Sequence, residues 1–158
     1  MPLNVQLASV DKKDEIFKLL VNYSKELEHY QEYPSGEIAS NEYFDFYWTE
    51  TDRFPFIAYI NDELIGFCFL RVEESYYSIA EFYIKPNFRC LGYGKSMLNF
   101  IIEFCKEQGK HSSIIADCFI KNSVANNFWT ANEFITHKEI IYEKERSYRN
   151  IRDFHIKS

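Results

Sequence analysis

The chain has 158 residues, 46% of them hydrophobic, with only five Gly and four Pro. This composition predicts one globular domain over residues 1–158 and excludes a low-complexity chain. A net charge of −6 argues against nucleic acid as the main partner.

No apolar stretch approaches the roughly 20 residues that span a bilayer. Met1 to Val10 lacks the basic start and apolar run of an export signal. No membrane association is therefore expected, and the cytoplasm is the expected compartment. Cys68, Cys90, Cys105 and Cys118 form no CxxC pair and read as free thiols. The histidines show no metal-ligand spacing, so no metal is expected. The 15 Phe and 12 Tyr predict a large aromatic core and an aromatic-lined pocket.

Asn4 to Leu7 alternates as a first strand. Asp11 is placed to cap a helix, in which Ile16, Leu19, Leu20, Tyr23, Leu27 and Tyr30 recur at helical spacing. Pro34-Ser35-Gly36 breaks that helix, and a weaker one runs from about Asn41 to Trp48. Phe56 to Ile60 and Leu64 to Val72 read as strands joined by a turn at Asn61-Asp62-Glu63. Tyr76 to Ile84 reads as the third strand of an antiparallel meander, ended by Pro86. A helix follows to about Gln108, with Met97, Leu98, Ile101, Ile102 and Cys105 on its apolar stripe and Gly109 as its C-cap. Ser113 to Cys118 is a short buried-type strand, Asn122 to Ala131 is helical, and Phe134 to Tyr142 opens a terminal hairpin. The whole reads as α/β with a mixed sheet.

Between strand and helix lies Arg89-Cys90-Leu91-Gly92-Tyr93-Gly94-Lys95. The first N–H groups of a helix have no intrahelical acceptor, and with the helix dipole they favour an anion. Gly94-Lys95-Ser96 matches the tail of a nucleotide P-loop, but that motif needs glycine where Arg89 stands. A dinucleotide fingerprint needs a third glycine where Met97 stands.

Arg89-x-x-Gly92-x-Gly94 resembles the acetyl-coenzyme A signature of the GNAT N-acetyltransferases. Glu81 to Phe88 resembles that family's fourth strand and its exit. Asn122 to Trp129, followed by Phe134, is similar to its later helix. The resemblance implies a sheet of six to seven strands, mostly antiparallel and splayed after the fourth, with about four helices. It implies transfer of acetyl from acetyl-coenzyme A to an amine of a small molecule or peptide, and relatives are often dimers. The backbone from Leu91 to Lys95 would cradle the pyrophosphate, with Cys90 and Ser96 flanking it and Arg89 holding the loop or a phosphate. Phe82, Tyr83 and Ile84 would bind the pantetheine arm, and an N–H near Phe82 or Tyr83 would polarise the thioester. Asn122 would bond the cofactor arm or cap its own helix, and Trp129 would lie near the thiol.

Trp129 departs from the family, since many relatives carry there a tyrosine that protonates the leaving thiolate. An indole N–H cannot do this as a phenol does. Glu133 stands where they carry glycine. The departure at Trp129 keeps open a second class, a non-catalytic acyl-coenzyme A-binding module.

An alkylammonium must lose a proton before it attacks. Glu81 is the candidate base, and strict alternation would put it on one face with Ile79 and Tyr83. The resemblance further implies that, together with the last strands, the segment from Glu26 to Trp48, with Tyr30, Tyr33 and Tyr47, walls the acceptor pocket. Its acids and aromatics would suit a cationic amine.

Overall fold

A computed structural model describes residues 2–30, 41–142 and 147–157. Among the described residues seven strands form one mixed sheet: β1 (Leu3–Leu7), β2 (Arg53–Ile60), β3 (Glu63–Val72), β4 (Tyr77–Ile84), β5 (Ser113–Phe119), β6 (Ile135–Tyr142) and β7 (Ser147–His155). Their order is β1-β2-β3-β4-β5-β7-β6, and only β4 and β5 run parallel. The same residues form four α-helices that accompany the sheet: α1 (Lys13–His29), α2 (Asn41–Thr49), α3 (Tyr93–Gln108) and α4 (Ser123–Ala131).

Alternation along the strands divides the core into two layers. On one face Phe56, Ala58, Cys68 and Leu70 pack with Met97, Leu98 and Ile101 of α3 and Trp129 of α4. On the other, Ile57, Phe67 and Phe69 pack with Ile16, Leu19 and Leu20 of α1 and Phe44 and Tyr47 of α2.

Several details differ from the sequence reading. Asp11 does not cap α1. It lies in a 3-10 turn, Val10–Lys12, ahead of the helix, and its carboxylate accepts from the Ser9 hydroxyl. Strand β2 starts before the apolar run and passes through Pro55. The Pro55 carbonyl accepts from the Ala8 N–H. The missing Pro55 N–H therefore also faces the β1 side, beyond the last register pair, Leu7 with Phe56, and removes no ladder bond.

The largest difference concerns β4. Phe69 pairs with Glu81 but Leu70 pairs with Ile79, which leaves Ala80 as an extra residue. Such a bulge puts two successive side chains on one face. Ile79 therefore faces the α3 and α4 layer with Phe82 and Ile84. Ala80 and Tyr83 belong to the α1 and α2 layer. Glu81, opposite Phe69 and two residues before Tyr83, shares that second layer. Glu81 and Tyr83 share a face as expected, but Ile79 does not.

Candidate functional site

Strands β4 and β5 pair only at Tyr77–Ile114, Ser78–Ile115 and Ile79–Ala116. From Ala80 onward β4 stays on β3, while β5 follows β7 through Phe119. The two parallel strands thus separate at the bulge, and a cleft of about 410 Å³ opens there. Its volume falls in the range of small-molecule sites.

One end of the cleft is the turn before α3. Gly92, the N-cap, sits at φ 88° and Cys90 at φ 63°. The left-handed region costs glycine nothing and other residues about 1 kcal/mol or more. The first backbone bond in α3 runs from the Ser96 N–H to the Gly92 carbonyl. The N–H groups of Tyr93, Gly94 and Lys95 thus precede any intrahelical partner. Gly94 lies against Phe128, which lets α3 and α4 approach. Cys90, Gly92, Gly94 and Lys95 line the cleft.

Arg89 is committed to protein partners. Its Nη1 and Nη2 donate to the two Glu26 oxygens at 2.7 and 2.8 Å, and its Nε donates to the Ile84 carbonyl at 2.8 Å. Burial works against the guanidinium charge, but the Glu26 carboxylate outweighs it and holds the cation more firmly. The guanidinium also lies 5.5 Å from the Tyr83 ring centroid. Burial pushes the Tyr83 phenol up, which keeps it neutral.

The long walls are β4 and α4. Glu81 lines the cleft although the residue is only 5% exposed. Phe82 packs against Phe128 and Trp129, at centroid distances of 5.1 and 5.3 Å. Asn122 caps α4, its side-chain oxygen accepting from the Ala125 N–H at 3.1 Å, and it also lines the cleft.

The end of α4 fixes Trp129. The Phe134 N–H donates to the Trp129 carbonyl and the Glu133 N–H to the Thr130 carbonyl. This is the Schellman arrangement, completed by ring contact between Trp129 and Phe134 at 4.9 Å.

Of the residues picked from sequence, Tyr30, Glu81, Phe82, Tyr83, Ile84, Arg89, Cys90, Gly92, Gly94, Lys95, Asn122 and Trp129 line this one cleft. Leu91, Tyr93 and Ser96 are not among its lining side chains. Leu91 points outward and Tyr93 packs on Phe88. Tyr47 is also placed elsewhere, buried, its ring stacked on Phe69 at 4.3 Å and its hydroxyl accepting from Arg71 Nε. Tyr33 lies outside the described residues.

Tyr23, Leu27, Phe128 and Cys118 also line the cleft. Tyr23, Leu27 and Tyr30 share an i, i+4, i+7 stripe; sequence assigns the part from Glu26 onward, with Tyr30, to the acceptor wall but treats Tyr23 as plain core. Nor does sequence disclose the buried buttress behind the α4 wall. Arg152 donates to Asn126 Oδ1, to Thr130 Oγ1 and to the Phe134 carbonyl, while Asn126 Oδ1 also accepts from the Cys118 thiol.

Among the described residues no group of acids, histidines and cysteines could hold a metal ion, and no helix is long and apolar enough to cross a membrane.

Residues 18–134 match the model of the GNAT acetyltransferase family. No curated protein sequence matches the chain. Solved structures resemble it closely in fold. An acetyltransferase from Salmonella typhimurium that modifies the N-terminal serine of a 50S ribosomal subunit protein superimposes with a TM-score of 0.80 at 13% identity, over 98% of this chain and 95% of that one. An N-acetyltransferase from Escherichia coli acting on an alanine of a ribosomal protein gives 0.75 at 12% identity, over 99% and 96%. An acetyltransferase from Bacillus anthracis in complex with acetyl coenzyme A gives 0.62 at 19% identity, over 67% and 64%.

Proposed function

This chain belongs to the GNAT acetyltransferase family, and we propose that it transfers the acetyl group of acetyl-coenzyme A to a primary amine of a small molecule or peptide. One observation carries the reading. The gap between β4 and β5 runs from the unpaired helix N-terminus at Gly92–Lys95 to the buried carboxylate of Glu81. A candidate anion site and a candidate base thus line the same cleft.

The residues present suit the donor. Backbone N–H groups of Tyr93, Gly94 and Lys95, with the Lys95 ammonium, would hold the pyrophosphate. Arg89 would hold the loop rather than a phosphate, because Glu26 and the Ile84 carbonyl engage it. The edge of β4 that turns to the cleft beyond its last pairing with β5 would pair with the amide groups of the pantetheine arm. An N–H near Phe82 or Tyr83 would polarise the thioester carbonyl as negative charge develops on its oxygen. Glu81 would take the proton of the incoming ammonium, directly or through a relay, so that the free amine can attack. Tyr23, Leu27 and Tyr30 would form the acceptor wall. The ribosomal-protein substrates of two structural neighbours support an amine acceptor.

Trp129 favours a second reading. It is buried between Phe82 and Phe134 at the position of the usual tyrosine acid. A binding module that holds acyl-coenzyme A without turnover would need no such acid. The deciding experiment pairs thermal stabilisation by coenzyme A with thiol release from acetyl-coenzyme A over a panel of small-molecule and peptide amines. Stabilisation with amine-dependent release and an acetylated product is expected. Stabilisation without turnover across the panel would favour the binding module, and no stabilisation would sink both readings.

A further inference from the structure

The Glu26–Arg89 pair joins two parts of the cleft that are distant in sequence. Glu26 belongs to the last turns of α1, whose Tyr23, Leu27 and Tyr30 face the cleft. Arg89 begins the glycine turn and is fastened to the end of β4 through Ile84. The pair is bidentate, with side chains only 33% and 27% exposed. This geometry is stronger and more directional than an ordinary surface pair. Because Arg89 also lies over Tyr83, α1, β4 and the turn meet at a single guanidinium.

We propose that Glu26 is a positioning residue: it transmits the closure of the glycine turn on its ligand to the last turn of α1, and so orders the acceptor wall when the donor is bound. The inference rests on the reading of the turn as a coenzyme A site. A shift of the turn moves Arg89, and a forked ion pair follows the rotation of its partner where a single contact would slip. The helix backbone carries that movement to Tyr23, Leu27 and Tyr30. Donor and acceptor binding are then coupled through a side chain that touches neither reacting atom, and the coupling must be reciprocal.

Amide hydrogen exchange tests this with coenzyme A as the probe and the full chain as the protein. In the wild type, coenzyme A should slow exchange in residues 90–97 and also in residues 24–30, the latter at least about fivefold, the lower end of usual coupling. Glu26→Gln should keep the protection of 90–97 and lose that of 24–30. Arg89→Lys, which keeps a charge but cannot fork, should lose it as well. Circular dichroism shows whether both variants retain their helices. Protection of 24–30 that survives both substitutions, or that is absent in a wild type whose 90–97 segment is protected, overturns the coupling. Absence of protection at both places overturns the donor-site reading and the coupling together.

Discussion

Gly94 and Phe128 are in such close contact that a β-carbon on Gly94 would stand 3.2 Å from Phe128 Cε2. The retreat of Phe128 is restricted, because its ring also packs against Phe82 and Trp129. Gly94→Ala should therefore displace the α4 wall and loosen the turn. Overpacking of this kind costs about 1–3 kcal/mol. We expect coenzyme A affinity to fall about tenfold, equivalent to about 1.4 kcal/mol, by isothermal calorimetry. Phe128→Leu in the same chain should recover part of the loss, since neighbouring substitutions are not additive. An unaltered affinity in Gly94→Ala would show that the contact is slack.

Gly66 is more tightly enclosed. A β-carbon there would lie 2.4 Å from the Tyr83 carbonyl oxygen and 2.8 Å from Ile84 Cδ1. The first neighbour is backbone, so relief requires β4 to move away from β3. Gly66→Ala should cost about 3 kcal/mol or more, and thus lower the melting temperature by roughly 6–12 °C. A melting temperature within a degree or two of wild type would show that the strands separate freely there.

The features legible in the sequence are those with local causes. Gly92 and Gly109 mark the two ends of α3 because both adopt positive φ. The apolar runs Phe56 to Ile60 and Leu64 to Val72 announced two strands, and both are buried along most of their length. The β4 bulge was not legible, because Ala80 fits either face and the extra residue shows only against its β3 partners. The order β5-β7-β6 likewise has no local signature, since it places the last strand between two earlier ones. Glu26 and Arg89 are 63 residues apart, and Arg152 reads as a surface cation until Asn126, Thr130 and Phe134 are brought around it. What escaped sequence was therefore pairing at a distance.

Glu133 occupies the C′ position of α4 at φ 67°, where glycine is the usual residue. Among the described residues its side chain has no partner, and Glu133 is exposed. Glu133→Gly should relieve about 1 kcal/mol and raise the melting temperature by about 2–4 °C. Glu133→Ala should give no comparable gain, because alanine meets the same steric penalty. Equal melting temperatures for the glycine and alanine variants would place the strain elsewhere.

Burial raises the Cys105 thiol from an ordinary value of 9.0 to about 12, and Cys68 is shifted in the same direction. Between those limits the unfolded chain gives up the proton while the folded chain keeps it. The folded state then binds more protons, so stability falls as pH rises. The contribution is fully present below about pH 9 and is lost toward pH 12. Cys105→Ala removes one of these groups. Its stability should start lower, because a buried side chain has been cut back, but should decline less steeply with pH. Chemical denaturation at pH 8, 9, 10 and 11 measures both slopes, and parallel slopes would remove Cys105 as a source of alkaline sensitivity.

Glu81 offers the most direct test of the chemistry. It is buried beside the gap between β4 and β5, opposite Phe69, on the face that α1 and α2 cover. Glutamine keeps its size and can still hydrogen-bond, but it cannot take a proton from an ammonium. Loss of general-base help costs about 10²–10⁴-fold in rate. With an amine that the wild type acetylates, Glu81→Gln should lose kcat by at least about 100-fold, while coenzyme A binding by calorimetry stays within about twofold, since affinity tracks contacts the substitution leaves intact. The split matters, because a merely structural carboxylate would alter folding and donor affinity along with rate. A rate equal to wild type from pH 6 to 9 would remove Glu81 from the proton transfer and assign the base to another group in the cleft.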